Sequence, residues 1–126
     1  MPTFNSNDAQ INYQTFGNNT KPTLIFSNSL GTNFSMWKPQ VDVLKKLFYI
    51  ICYDTRGHGE STAPKGPYTL AQLGQDVIHL MDHLSIKTAS FCGISMGGLT
   101  GQWLAIHKPE RFHRAIVCNT SAKIGN

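Results

Sequence analysis

The sequence lacks the features of several protein classes. No stretch approaches the roughly 18 apolar residues of a membrane-spanning helix, and the amino terminus has neither the basic nor the apolar region of a secretory signal. The net charge is +4, but no basic stripe with interleaved aromatic residues is present, which disfavours nucleic-acid binding. We therefore expect a cytoplasmic protein with no membrane or nucleic-acid partner.

Metal-binding patterns are also absent. Cys52, Cys92 and Cys118 share no C-x-x-C spacing, and each lies in an apolar run, which predicts reduced thiols in the core. His79 and His83 have an i, i+4 spacing on a predicted helix, but a helical projection puts them opposite its apolar stripe. We expect a solvated helix face there and no metal site.

Apolar runs of two kinds alternate along the chain. Thr3–Asn5 and Gln10–Phe16 have the pattern of an antiparallel hairpin at a sheet edge. Four later runs are continuously apolar, as in strands buried on both faces of a parallel sheet: Thr23–Phe26, Tyr49–Tyr53, Thr88–Cys92 and Ala115–Cys118. Amphipathic helical patterns lie between them, over Trp37–Leu47, Leu70–Leu84 and Met96–Ile106. This order predicts one α/β domain with a doubly wound, mostly parallel sheet and an antiparallel hairpin at one edge.

A nucleophile motif follows the third of these apolar runs. Gly93-Ile94-Ser95-Met96-Gly97 is a G-x-S-x-G pentapeptide between a predicted strand and a predicted helix. In such a turn Ser95 takes a strained backbone conformation that exposes its hydroxyl, and Gly93 and Gly97 avoid side-chain collisions with it. The N–H of Met96, in the first helical turn, points toward the oxyanion that forms when Ser95 attacks a carbonyl. Ser95 is therefore the candidate nucleophile and Met96 a candidate oxyanion donor.

Two further loops follow strands at the edge where open α/β sheets gather their ligand-binding groups. In Ser27–Thr32, the N–H of Leu30 is the candidate for the second oxyanion donor, although an ordinary strand-to-helix connection is an alternative reading. Asp54–Ser61 has the glycines and charges of a tight turn, and we interpret it as structural, with Arg56 as a loop brace. His58 fits this turn better than it fits the role of catalytic base.

Together these segments resemble the α/β-hydrolase superfamily and, within it, the 3-oxoadipate enol-lactonases of bacterial aromatic catabolism. The resemblance implies hydrolysis of the ester bond of 3-oxoadipate enol-lactone to give 3-oxoadipate, with no metal or organic cofactor. It maps Ser95 onto the nucleophile of the family, and Leu30 and Met96 onto its oxyanion donors. It covers nearly the whole chain, and its most specific parts are Ser27–Thr32 with Met36-Trp37, Gly93–Leu104 and Cys118–Gly125.

Members of this family continue past this point through a helical cap and further strands, and the catalytic triad runs in the order Ser, acid, His along the chain. We therefore expect residues 1–126 to form the amino-terminal half of a hydrolase domain, with the acid and the histidine beyond Asn126. The isolated chain is expected to be inactive. Its expected partners are a small lactone or ester substrate and a complementary carboxyl-terminal chain.

Two alternatives remain open. The first is a different serine hydrolase, such as a carboxylesterase or a cofactor-free haloperoxidase-like enzyme, because the cap would supply the decisive substrate contacts. The second is a non-catalytic scaffold that binds a partner chain through an exposed sheet edge.

Overall fold

The computed structural model describes residues 2–28, 34–57, 61 and 68–118. In this part of the chain, helices alternate with the strands of one sheet, as the sequence predicts. The strands are β1 (Thr3–Ser6), β2 (Ala9–Phe16), β3 (Thr23–Ser27), β4 (Tyr49–Tyr53), β5 (Ala89–Ile94) and β6 (Phe112–Cys118). The helices are α1 (Lys38–Leu44), α2 (Leu70–His83) and α3 (Met96–His107), and short 3-10 turns cover Phe34–Trp37 and Pro109–Arg111.

The sheet has the order β1-β2-β4-β3-β5-β6. The pairs β1–β2 and β2–β4 are antiparallel, whereas β3–β4, β3–β5 and β5–β6 are parallel. The prediction of a mostly parallel sheet with an antiparallel hairpin at one edge is therefore confirmed. The carboxyl ends of β3, β4 and β5 meet at one edge of this sheet, and the candidate site lies there.

Apolar residues cover both faces of the sheet, because successive side chains of a strand point to opposite sides. On one face, Leu24 and Phe26 pack with two residues of the helical side: Trp37, at the start of α1, and Val41, within α1. On the other face, strand residues meet α2 and α3 in a larger cluster that includes Ile25, Ile51, Phe91, Val77, Leu80, Met81 and Leu104. Helices on both faces make the sheet doubly wound, as predicted.

Local signals in the sequence account for the ends of two helices. The Thr69 hydroxyl accepts a hydrogen bond from the N–H of Gln72 at 3.1 Å, and the Gln72 side chain accepts one from the N–H of Thr69 at 2.8 Å. This capping box begins α2. Helix α3 ends at His107, just before Pro109, which lacks the N–H that another helical turn requires.

Strand β6 departs from the prediction in two ways. It begins at Phe112, three residues before the predicted start at Ala115. Ala115–Cys118 was predicted to be buried on both faces, but all four residues are exposed, with Ile116 at 56% and Val117 at 37%. Strand β6 ends the sheet order and pairs only with β5 among the described strands. Cys118 is therefore exposed, and its predicted place in the core is wrong.

Candidate active site

Ser95 lies between the end of β5 and the start of α3. Strand β5 extends to Ile94, further than predicted, so strand, serine and helix are directly continuous. Ser95 has φ 55° and ψ −113°, a left-handed conformation that side-chain-bearing residues rarely adopt. Such conformations persist only where the surrounding structure enforces them, and they cluster at functional sites.

Backbone hydrogen bonds hold Ser95 on both sides. Its N–H donates to the carbonyl of Cys118 at the end of β6, with an N···O distance of 2.8 Å. Its carbonyl accepts from the N–H of Leu99 at 3.0 Å, which begins the hydrogen-bond ladder of α3. The Ser95 side chain makes no capping hydrogen bond to the helix and is half-buried. The backbone is therefore fixed while the hydroxyl stays available for a ligand.

Gly93 and Gly97 are required by close backbone contacts. A Cβ atom added at Gly93 would lie 2.2 Å from the carbonyl oxygen of Gly97, and one added at Gly97 would lie 2.3 Å from the carbonyl oxygen of Ser27. The need for glycine at both positions is confirmed, but its cause differs from the expected one. The nearest atoms belong to the facing backbone and not to the Ser95 side chain.

The structure describes one of the two candidate oxyanion donors, Met96. Met96 is the first residue of α3, a helix of 12 residues, so its N–H has no acceptor within the helix. The positive end of the helix dipole lies at the same N-terminus and adds to the attraction of this N–H for an oxyanion. Leu30 lies outside the described residues, as does His58. The loop that contains Leu30 continues from Ser27, whose carbonyl contacts the turn at Gly97.

His79 and His83 pack against the β1–β2 hairpin. His79 is half-buried, with Nδ1 2.7 Å from the Ser6 hydroxyl, and the exposed His83 stacks on Phe4 with ring centroids 5.4 Å apart. The expectation of a solvated face is therefore wrong for His79, because β1 covers that side of α2. The described residues contain no cluster of His, Cys, Asp and Glu side chains suited to a metal ion.

The other described histidines lie at the far ends of the elements that meet at Ser95. His107 is the last residue of α3, about 16 Å along the helix axis from its first residue. His113 is near the start of β6, whose opposite end contacts Ser95. Neither is placed to take a proton from the Ser95 hydroxyl.

Arg56 is a structural brace, as the sequence suggested. Its guanidinium is 2% exposed and forms a bidentate ion pair with Asp76 of α2, at 2.7 Å from Nε and 2.8 Å from Nη2. A third bond joins Nη1 to Asp8 at 3.0 Å. The hydrogen bonds with Asp76 raise the pKa of Arg56 above its already high ordinary value. Sequence reasoning missed Asp76, although an acidic residue beside the apolar stripe of α2 was a signal for a buried charge pair.

Two of the three thiols are poor nucleophiles for physical reasons. Burial, followed by the neighbouring Asp54 carboxylate, raises the pKa of Cys52 to about 12. Burial also raises the pKa of Cys92, with a smaller contribution from Cys118. All three cysteines are free thiols. Because the thiolate is the reactive form, Ser95 is the stronger candidate nucleophile.

Comparisons with known proteins agree with this geometry. The chain is 63% identical to 3-oxoadipate enol-lactonase 2 of Acinetobacter baylyi over 98% of its own length and 46% of that protein. It is 48% identical to 3-oxoadipate enol-lactonase 1 of the same organism, over 90% of this chain and 42% of that one. The enol-lactonase structure from Burkholderia xenovorans LB400 superposes with a TM-score of 0.95 at 52% identity, covering 98% of this chain and 48% of that one.

These similarities confirm the resemblance inferred from the motifs. The chain spans about half the length of the curated relatives it matches. None of the helices in the described ranges has both the length and the hydropathy needed to cross a membrane. The family model described as "alpha/beta hydrolase fold" matches residues 22–125, and the chain therefore belongs to the alpha/beta hydrolase fold family.

Proposed function

We propose that the protein containing this chain is a carboxylic-ester hydrolase with Ser95 as its nucleophile. The observation that carries the proposal is the conformation of Ser95, at φ 55° and ψ −113° between β5 and α3, with glycine enforced at positions 93 and 97. This geometry presents a serine hydroxyl beside a helix N-terminus, which is the arrangement that acyl transfer needs.

The proposed substrate is 3-oxoadipate enol-lactone, supported by the identity of 63% to an enol-lactonase. The Ser95 oxygen bonds to the lactone carbonyl carbon while its proton passes to a general base. The N–H groups of Met96 and Leu30 stabilise the oxyanion. The ring C–O bond then breaks, and the ring oxygen takes the proton from the general base and leaves as an enol. Water hydrolyses the acyl-enzyme and releases Ser95, and tautomerisation of the enol to the ketone gives 3-oxoadipate. This chemistry uses no metal or organic cofactor.

The general base is proposed to come from outside the described residues. In this fold the acid and the histidine follow the serine along the chain, and the described histidines after Ser95, His107 and His113, are at the wrong ends of their elements. We place the acid and the histidine beyond Asn126, in the carboxyl-terminal half of the hydrolase domain, carried by the same polypeptide or by a complementary chain. Residues 1–126 alone are expected to be inactive.

The reaction fits the breakdown of aromatic compounds, because its product is 3-oxoadipate. We propose a cytoplasmic location, which is consistent with free thiols at Cys52, Cys92 and Cys118.

The test is steady-state turnover of 3-oxoadipate enol-lactone by the complete hydrolase, with simple aryl esters measured in parallel. Ser95→Ala should lower kcat on the order of 10⁶-fold, the effect of removing a serine nucleophile. Ser85→Ala is a matched control, because Ser85 also has a left-handed backbone, with φ 59°, but lies in a turn after α2. It should retain full turnover.

The outcomes separate the competing functions. Preference for aryl esters over the lactone would indicate a general carboxylesterase. Stable assembly with a partner chain, without turnover of either substrate and without covalent labelling of Ser95 by a fluorophosphonate, would indicate a scaffold and contradict the proposal.

A further inference from the structure

Ser27 packs against the start of α3, the helix that supplies the proposed oxyanion donor Met96. It is the last residue of β3 and is 1% exposed. A Cβ atom at Gly97 would be 2.3 Å from the Ser27 carbonyl oxygen and 2.9 Å from its Cβ, so the start of α3 rests directly on this residue. Any movement of Ser27 therefore displaces the backbone against which the first turn of α3 is packed.

A buried hydrogen bond to Tyr53 holds the Ser27 side chain. Its hydroxyl is 2.8 Å from that of Tyr53, the last residue of β4 and the direct partner of Ser27 in the parallel register. Tyr53 is 2% exposed, and burial raises its pKa, so its hydroxyl stays protonated and able to hydrogen-bond at neutral pH. The bond ties the end of β3 to β4 at the edge of the sheet where Ser95 lies.

We propose that Tyr53 is a positioning residue, which acts through Ser27 to fix the N-terminus of α3, and with it the N–H of Met96. Oxyanion stabilisation depends on donors that are already in place when charge develops. A shift of the end of β3 by a fraction of an ångström displaces the Met96 N–H without removing it. The inference rests on the proposed function, because it assigns a task within the same site.

The test compares Tyr53→Phe with Tyr13→Phe in the complete hydrolase. Tyr13 is a matched control, since it is buried on the neighbouring strand, is the register partner of Tyr53, and loses the same atom. Its hydroxyl, however, lies 3.3 Å from His83, away from the turn at Ser95. Tyr53→Phe should lower kcat about tenfold, less than the roughly hundredfold cost of a misplacement by one ångström. Tyr13→Phe should leave kcat unchanged.

A second readout separates positioning from a general loss of structure. A trifluoromethyl ketone analogue forms an adduct with the serine whose former carbonyl oxygen is an oxyanion. The affinity for this analogue should fall together with kcat in Tyr53→Phe, while KM changes by less than about twofold. Ser27→Ala should reproduce the effect, and the double variant should lose no more than either single variant, because both delete one interaction.

Several outcomes would overturn the inference. One is an equal effect of the two tyrosine variants on kcat, and another is a lower melting temperature in Tyr53→Phe with kcat and analogue affinity unchanged. Multiplicative losses in the double variant would also contradict it. Absence of turnover that depends on Ser95 would contradict the proposed function and this inference together, whereas turnover that depends on Ser95 but is unaffected in Tyr53→Phe would contradict the inference alone.

Discussion

Two serines in this molecule have opposite surroundings. Ser6 has beside it the two residue types that accompany the serine of a catalytic triad. Its hydroxyl donates to Asp76 at 2.6 Å and lies 2.7 Å from His79. Because its only proton goes to the carboxylate, the imidazole must donate to it, which is the reverse of general-base catalysis. It is also fully buried. Ser95 contacts neither kind of partner among the described residues, yet it has a strained backbone and an available hydroxyl.

The comparison shows that the set of residue types does not identify the site. Around Ser6, the bidentate pair of Arg56 with Asp76 and a third bond to Asp8 use the charges to join β1, α2 and the loop after β4. The Arg56 and Asp76 side chains of this network are buried and bond to each other. At Ser95 the backbone supplies a fixed position beside a helix N-terminus. The comparison therefore favours Ser95 as the proposed reactive serine, and assigns Ser6 to the structural network.

The largest effect expected from a change in these surroundings comes from Gly97→Ala. The added methyl group would meet the backbone of Ser27 at 2.3 Å, so α3 or β3 must move, and movement of α3 would displace Met96, the proposed oxyanion donor. We expect a loss of kcat of about a hundredfold or more, measured with the enol-lactone.

Gly101→Ala is the control for Gly97→Ala on the same helix. A Cβ atom there would meet the side chains of Phe91 at 3.0 Å and Val117 at 3.2 Å, which can adjust more easily than backbone. Its kcat should stay within about threefold of the wild type, since only core packing changes. Equal losses of kcat in the two variants would show that the turn at Ser95 is no more sensitive to an added methyl group than a later position of α3.

Breaking the polar network around Ser6 should change stability and leave chemistry intact. Arg56→Met leaves Asp76 buried without its counter-ion, which should lower the free energy of unfolding by about 3–5 kcal/mol. The exposed pair of Lys38 with Asp42, at 3.0 Å, is the matched control, and Lys38→Met should cost only about 0.3–0.5 kcal/mol. Denaturant unfolding measures both changes.

The same network variants should keep the turnover number of the folded fraction at the wild-type value, because the described hydrogen bonds of Arg56 go to Asp76, Asp8 and Ser6. A drop in kcat for folded Arg56→Met protein would show that the network also controls the site, and would remove the distinction between the two serines.

The sequence predicted most of the fold because its signals are local. Continuous apolar runs marked β3, β4 and β5, and the G-x-S-x-G motif marked the turn at Ser95. The errors concern contacts between distant segments. A helical projection of His79 cannot show that β1 covers it, and the apolar run of β6 does not reveal that this strand ends the described sheet.

The candidate site was predictable only in part for the same reason. Ser95 and Met96 belong to one short motif, so their relation is encoded in consecutive residues. The contact of Gly97 with Ser27 and the bond of Ser27 to Tyr53 join segments that only the sheet register brings together. No spacing in the chain specifies that register.

The smallest effect in this series is a pH dependence that originates in the core. Burial and the Asp54 carboxylate raise the pKa of Cys52 to about 12, against roughly 8.5 in an unfolded chain. Between these values the unfolded state releases a proton that the folded state keeps. The free energy of unfolding should therefore fall as pH rises above about 8.5, by up to about 1.4 kcal/mol per pH unit.

Urea unfolding between about pH 8 and pH 9.5, below the ordinary pKa of tyrosine of about 10, measures this slope. Cys52→Ala should reduce the slope, whereas Cys118→Ala, which removes an exposed thiol, should leave it unchanged. An identical slope in both variants would contradict the assignment to Cys52. Because this thiol packs on the α1 face of the sheet, turnover normalised to folded protein should stay the same in Cys52→Ala, which again separates groups that hold the fold from the groups at Ser95.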